Sequence, residues 1–260
     1  MNRILVTGGT GHLGNLIVQS LNKKEYPVRI LTTKHVHQTE NSVEYLQGDL
    51  AGNSNLETAV KNVDTIIHCA SNPRDFDNVD IRGTKNLLNT LERKNIKHFL
   101  YISIVGMDRS DYSYYVAKSK VEQLIAGSHL PYTILRATQF HSFIINLIQQ
   151  ILHENAAEKS MINLPDGMYF QPIDTLEVAE LAATLALNHP KGLYPDVGGP
   201  EVRSFSSLAD SFFQRMGDNR ELKFIPTDNV RHNLFRSRIN LCPNSFGKIT
   251  WEDFLQHNYE

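Results

Sequence analysis

The chain has 260 residues, 41% hydrophobic and 21% charged, an ordinary globular composition that excludes a disordered or fibrous protein and suits one large α/β domain with a small appended lobe. Twenty-six Lys and Arg against 28 Asp and Glu leave a formal charge of −2 with no basic block, so wholesale nucleic-acid binding is disfavoured. No apolar run reaches the length of a membrane span, the N-terminus lacks the layout of a signal peptide, and Cys69 and Cys242 give neither a disulfide framework nor a zinc spacing; a cytoplasmic protein with no metal site and no membrane partner is expected.

Apolar strand-like runs alternate with helical stretches through the first half. A strand at 3–6 leads into a helix over 13–24, followed by strands at 28–32 and 43–46, a short helix at 56–60 and a strand at 65–69. A helical face at 79–93 precedes a strand at 98–103, a helix at 114–126 and a strand at 132–135. This βαβα order predicts a doubly wound parallel sheet with helices on both faces and ligands beyond the carboxyl ends of the strands. Further on come a helix at 140–152, a loop or short hairpin at 155–170 and a helix at 175–188 capped by Thr175. A strand at 193–197 precedes the Gly198-Gly199-Pro200 turn, then a helix at 205–216, a short strand at 222–225 and a final helix opening at Trp251. The division expected is a nucleotide domain over 1–140, with 190–200 adding a strand, and a small lobe from 141–189 and 201–260.

The turn after the first strand reads TGGTGHLG, Thr7 to Gly14. Gly9, Gly11 and Gly14 fit G-x-G-x-x-G, and Gly8, Gly11 and Gly14 fit G-x-x-G-x-x-G. Early glycines allow a tight turn with positive φ, the middle one admits a pyrophosphate to the backbone, and the last lets helix pack on strand. Free N–H groups and the positive helix end around Gly8, Thr10, Gly11, His12, Leu13 and Gly14 would hold the phosphates. After the second strand, where an acid accepts the ribose 2′-OH of NAD, stand Thr33, Lys34 and His35; these suit a 2′-phosphate and favour NADP(H) over NAD(H). Asp49, before Leu50, is placed to reach an adenine amino group. Cys69, Ala70 and Ser71 end the fourth strand, where small residues let a ribose lie close, Cys69 itself reading as a buried apolar side chain.

Tyr114 and Lys118 share a helix face, and Ser103 closes the fifth strand. A phenol beside an ammonium ionises more easily, so Tyr114 is placed to protonate a carbonyl oxygen during hydride transfer, with Lys118 holding ribose hydroxyls and Ser103 bonding the reacting oxygen. Tyr112 and Tyr115 compete for the phenol's role. Phe140, His141 and Phe143, with Met107 and Phe170, are expected in the crevice, although His141 fits a structural role better.

The glycine turn, Gly48-Asp49-Leu50, His68-Cys69-Ala70-Ser71, Gly83-Thr84-Lys85-Asn86-Leu87-Leu88, Tyr101-Ile102-Ser103 and Tyr114-to-Lys118 together resemble the short-chain dehydrogenase/reductase superfamily. Ile104-Val105-Gly106, the run Leu135 to Phe140 and Gly198-Gly199-Pro200-Glu201 are most similar to its atypical, NmrA-like branch. That resemblance implies an NAD(P)-binding Rossmann domain with a discontinuous C-terminal lobe and adds Ala137 and Thr138 to the cofactor-binding positions. It implies either a reductase of small carbonyls or quinones or a redox sensor that binds the cofactor, without turnover, and responds through a protein partner; sugar-nucleotide epimerase or dehydratase chemistry ranks last. Two positions depart from the pattern. Asp80 stands where extended members carry Asn, which touches the usual proton relay, and Ala137 stands where relatives often carry Pro. Retention of Ser103, Tyr114 and Lys118 favours the enzyme.

Overall fold

The structure is a computed structural model that describes residues 3–35, 42–154 and 160–259. In chain order, β1 (Arg3–Thr7) runs into α1 (His12–Asn22), followed by β2 (Val28–Thr32), β3 (Val43–Gln47), the short α2 (Leu56–Ala59) and β4 (Val63–His68). A π-helical turn, Asp77–Arg82, opens α3 (Gly83–Leu91); β5 (His98–Ile104), a 3-10 turn at Met107–Arg109, α4 (Ser113–Ala126) and β6 (Tyr132–Ala137) follow. The remainder is α5 (His141–Glu154), β7 (Met161–Pro165), β8 (Tyr169–Phe170), α6 (Thr175–Ala186), β9 (Gly192–Leu193), β10 (Arg203–Ser204), α7 (Phe205–Met216), β11 (Glu221–Ile225), α8 (Val230–Arg236) and α9 (Trp251–Asn258).

The chain divides into two compact units, the first Met1–Ser103, Ser113–Arg136 and Leu176–Pro195, the second Ile104–Tyr112, Ala137–Thr175 and Asp196–Glu260. The first is built on a seven-stranded sheet ordered β3-β2-β1-β4-β5-β6-β9. β1 pairs parallel with both β2 and β4, so the winding reverses there and leaves a crevice at the strands' carboxyl ends. The predicted doubly wound α/β fold is the one observed. Val28–Thr32 is buried at every position because helices cover both faces of the sheet, and of its five residues only Arg29 and Thr32 are polar. Leu5, Ile66, Leu87, Phe99, Val121 and Ile134 form a core cluster against one face. Arg29 is buried among these strands because its Nη1 donates to the carbonyls of Thr58 and Ala59 at the end of α2 and of Lys61 just beyond it, while Nη2 pairs with Glu44 at 3.0 Å.

In the second unit β7 pairs parallel with β11 and β8 antiparallel with β10. Phe143, Phe170, Phe205 and Phe235 form one aromatic cluster, and Trp251 and Phe254 close around His141. Thr250 and Asp253 make a reciprocal capping box that starts α9 where the sequence places it.

Several elements differ from the sequence reading. Residues 155–159 of the expected loop or hairpin lie outside the described residues. The rest is no hairpin, since β7 and β8 each pair with a later strand. The expected strand at 193–197 is cut to Gly192–Leu193 because Pro195 has no N–H to donate; Val197 instead bridges Ala137. The helix expected to follow a Thr175 cap includes Thr175 as its first residue. Residues 176–189, expected in the lobe, pack within the first unit. Val178, Ala179, Ala182 and Ala183 are fully buried, and His98 Nδ1 bonds the Asn188 carbonyl at 3.1 Å. Residues 104–112 and 137–140 fall in the second unit.

Candidate functional site

The glycine turn connects β1 to α1. Gly8 has φ +71°, and a Cβ there would lie 2.7 Å from Ala70 N, so this residue both reverses the chain and seats the turn on the end of β4. A Cβ on Gly9 would lie 2.9 Å from Ile30 Cγ2, and one on Gly14 would meet the Gly8 carbonyl oxygen at 2.2 Å. Both ways of counting the motif are therefore needed, each glycine for its own contact. Gly11 is different: a Cβ there would meet only the Gly8 oxygen, at 3.2 Å, and otherwise project into open space. Gly11 is the N-cap of α1 and no side chain caps the helix. The N–H groups of the first turn, His12, Leu13 and Gly14, consequently have no intrahelical acceptor, which is the donor set that a pyrophosphate requires.

At the end of β2, Thr33 and Lys34 are exposed, and Thr32 Oγ1 lies 3.4 Å from Thr10 Oγ1, tying the glycine turn to this edge. Asp49 closes its own turn by accepting the Ala51 N–H at 2.9 Å. Leu50, which follows Asp49 and is counted with it among the expected cofactor-binding residues, presents backbone rather than side chain at this strand end. Its side chain is buried in the core and its carbonyl is bonded by Asn86 Nδ2 at 2.7 Å. Ala137 and Thr138 lie in the second unit; Ala137 is buried and the Thr138 hydroxyl is spent on the Gln171 carbonyl at 2.6 Å.

Cys69 is a neutral thiol donating to the Thr7 carbonyl, and burial pushes its pKa up to about 12. Beside it His68 is fully buried between the hydroxyls of Thr7 (2.7 Å) and Thr84 (2.9 Å). Thr84 spends its only proton on the Asp80 carbonyl, so His68 Nε2 is the donor to Thr84 and Nδ1 accepts from Thr7. Burial holds the imidazole pKa down at about 3, with Lys118 adding to the effect.

The candidate chemical groups meet around Asp80. Lys118 is buried, its Nζ 3.7 Å from Asp80 Oδ1, donating to the Ile102 carbonyl at 3.2 Å and standing 4.5 Å over the Tyr101 ring. Burial lowers the Lys118 pKa, and the neighbouring Asp80 opposes that. Ser71 Oγ donates to Asp80 Oδ1 at 2.6 Å and lies 2.7 Å from the Tyr114 hydroxyl. Tyr114 is half-buried, whereas Tyr115 is a core side chain, which separates the two candidates. Tyr112 falls in the second unit. Ser103 Oγ is buried and has no hydrogen-bond partner among the described residues. The central carboxylate is the residue that sequence reasoning undervalued. Its one signal was an acid in the place of an Asn, directly before the Gly83-Thr84 helix.

The expected crevice residues are mostly core. Met107, His141 and Phe170 are buried, His141 with Nδ1 3.6 Å from Asp174 Oδ2. The second unit's concavity of about 650 Å³ is lined instead by Arg109, Asp111, Val230, Asn233, Leu234 and Ser237, among others. Among the described residues no His, Cys, Asp or Glu group is arranged to hold a metal, and no helix is long and apolar enough to cross a membrane.

A glycine turn opening a helix at the reversal point of a parallel sheet defines the class as a dinucleotide-binding fold. The profile of the NAD(P)H-binding family matches residues 8–156, more than half of the chain, and the protein belongs to that family, within the atypical short-chain dehydrogenase/reductase type. An isoflavone reductase-like protein of Olea europaea is 26% identical over 88% of this chain and 79% of its own. The photosystem II assembly factor Ycf39 of Trieres chinensis is 25% identical over 86% of this chain and 72% of its own. An NADPH-dependent quinone oxidoreductase of Escherichia coli, solved with NADPH, has the same fold, with TM-score 0.78 and 16% identity over 99% of this chain and all of that one.

Proposed function

We propose that this protein is an NADPH-dependent reductase of small carbonyl or quinone substrates. The observation that carries the reading is the grouping of Tyr114, Ser71, Asp80 and Lys118, in the unit that bears the glycine turn and also holds the Ser103 hydroxyl, which has no hydrogen-bond partner among the described residues. The α1 N–H groups would hold the pyrophosphate, Thr33 and Lys34 the 2′-phosphate, and the ends of β1 and β4 the ribose side. When bound, the nicotinamide supplies a hydride. Tyr114 gives its phenolic proton to the substrate oxygen, and Ser103 donates a hydrogen bond that holds this oxygen. The names of the olive relative and of the quinone oxidoreductase support the choice of a reductase and of NADPH.

A cofactor-binding protein without turnover, acting through a protein partner, is the second reading. It is favoured by Asp80, which offsets the Lys118 charge that would otherwise activate the phenol, and the assembly-factor relative is consistent with it. NADPH consumption measured against quinones and aldehydes separates the two. The reductase reading expects turnover that falls by about two to four orders of magnitude in Tyr114→Phe, with cofactor affinity unchanged. Tight NADPH binding with no turnover across the panel selects the second reading.

A further inference from the structure

We propose that Asp80 biases the Tyr114 phenol toward its protonated form and extends that form to higher pH, and so poises the site to give a proton to a substrate oxygen rather than to take one from an alcohol. The functional meaning rests on the reductase reading; the physical content rests on hydrogen-bond direction. Ser71 spends its single proton on Asp80 Oδ1, so it is an acceptor toward Tyr114, and the Tyr114 O–H is the donor in that contact. The order is Tyr114 O–H to Ser71 O–H to carboxylate. The other carboxylate oxygen accepts the Asn72 N–H at 2.9 Å. A Tyr114 phenolate would need the Ser71 hydrogen bond that Asp80 now accepts. Two anions would then compete for one hydrogen, and the loser would keep its charge without that bond.

The ammonium that ordinarily favours a phenolate is itself engaged. Lys118 faces Asp80 at 3.7 Å and gives a hydrogen bond to the Ile102 carbonyl. Four further titratable groups lie beside this cluster. His68 and Cys69 are neutral, burial holds the Tyr101 phenol protonated, and Glu122 is bound by both Arg136 Nε (2.9 Å) and Nη2 (2.6 Å). The Phe76 ring packs on Tyr114 with centroids 6.1 Å apart. Asp80 is therefore a positioning residue: it fixes the direction of the phenolic hydrogen through Ser71 and cancels the field of Lys118. In the reductive step the Tyr114 O–H bond breaks and the proton goes to the substrate oxygen. The phenolate left beside Ser71 and Asp80 is then reprotonated by water.

The test is a pH titration of the full chain carrying ¹³C at tyrosine Cζ, with the Tyr114 resonance assigned from Tyr114→Phe. Wild-type Tyr114 is expected to titrate at or above the ordinary tyrosine value of about 10. Asp80→Asn should lower that midpoint by about 1 to 3 units, the span for a charge at this range. Ser71→Ala, which leaves the Asp80–Lys118 pair in place, should lower it by roughly half a unit or more, through loss of the acceptor that favours the neutral phenol. An Asp80→Asn midpoint equal to or above that of wild type overturns the proposal. If Asp80→Asn does not fold, Ser71→Ala decides alone, and an unchanged or raised midpoint overturns it. The titration needs no turnover, so an inactive protein would remove the reductase reading and leave this result standing. In an active protein, the pH above which kcat falls should move down by the same shift.

Discussion

Replacing Gly14 by alanine tests whether the glycine turn is held by packing or by helix preference. Gly14 lies inside α1, where Gly→Ala ordinarily stabilises by about 1 kcal/mol. Here the added Cβ would sit 2.2 Å from the Gly8 carbonyl oxygen and 2.8 Å from both Gly8 C and Gly9 Cα, all backbone atoms. Relief requires the Gly8 carbonyl to move by roughly 1 Å, and that same oxygen accepts the Gly11 N–H at 2.9 Å. Overpacking costs about 1 to 3 kcal/mol and the strained turn hydrogen bond about 1 more, against the 1 gained from propensity. The net expectation is a loss of roughly 1 to 3 kcal/mol together with weakened NADPH binding. Gly11→Ala is the control. Its φ of −82° and ψ of 172° suit any residue, and the new methyl meets only one atom, so the fold should lose less than about 1 kcal/mol. NADPH affinity should still drop by roughly tenfold or more, because the methyl occupies the open side where a pyrophosphate would approach. Urea unfolding gives the stability and fluorescence titration the affinity. A Gly14→Ala protein as stable as wild type, or a Gly11→Ala protein that binds NADPH normally, would refute the reasoning.

Lys34→Ala should weaken NADPH by about tenfold while leaving NADH nearly untouched, since only the former carries a 2′-phosphate; calorimetric titration of both cofactors decides this, and parallel losses would remove Lys34 from the site. His68 gives the fold an acid limit. Its pKa is depressed from 6.5 to about 3, so the unfolded chain binds the extra proton between those values. Its contribution is complete above pH 6.5 and shrinks as pH falls toward 3, by about 3 kcal/mol at pH 4.5. Unfolding free energies at pH 7 and 4.5 should fall less steeply in His68→Gln than in wild type, and equal slopes would count against a neutral buried imidazole.

The first half of the fold was legible because apolar periodicity and strand order carry one message. The run Ile4-Leu5-Val6 before TGGTGHLG could hardly be anything but a strand feeding a helix, and β1 and α1 fall there. Two-residue strands such as β8 and β10 leave no periodic trace, because tertiary pairing alone makes them. α8 was missed for a similar reason: seven residues following an Asn229 cap are too few for an amphipathic pattern. At the candidate site, Tyr114 and Lys118 were found through their four-residue spacing. Asp80 became central only once Ser71 and Lys118, far away in sequence, were seen to meet it. The aromatic residues after β6 misled because an apolar cluster in a lobe looks alike whether it lines a crevice or fills a core.

The two compact units are interleaved along the chain, which crosses from one to the other after Ser103, Tyr112, Arg136, Thr175 and Pro195. Neither unit is therefore a continuous piece of polypeptide, and no single cut releases one intact. During synthesis the seven-stranded sheet waits for β9, its last strand, until most of the chain has emerged, and the second unit waits for the C-terminal helix α9. Contacts between segments so distant in sequence slow folding and leave apolar faces exposed in the meantime. Fragment expression should thus yield aggregates from either end, and variants in the late segments should betray themselves first in yield.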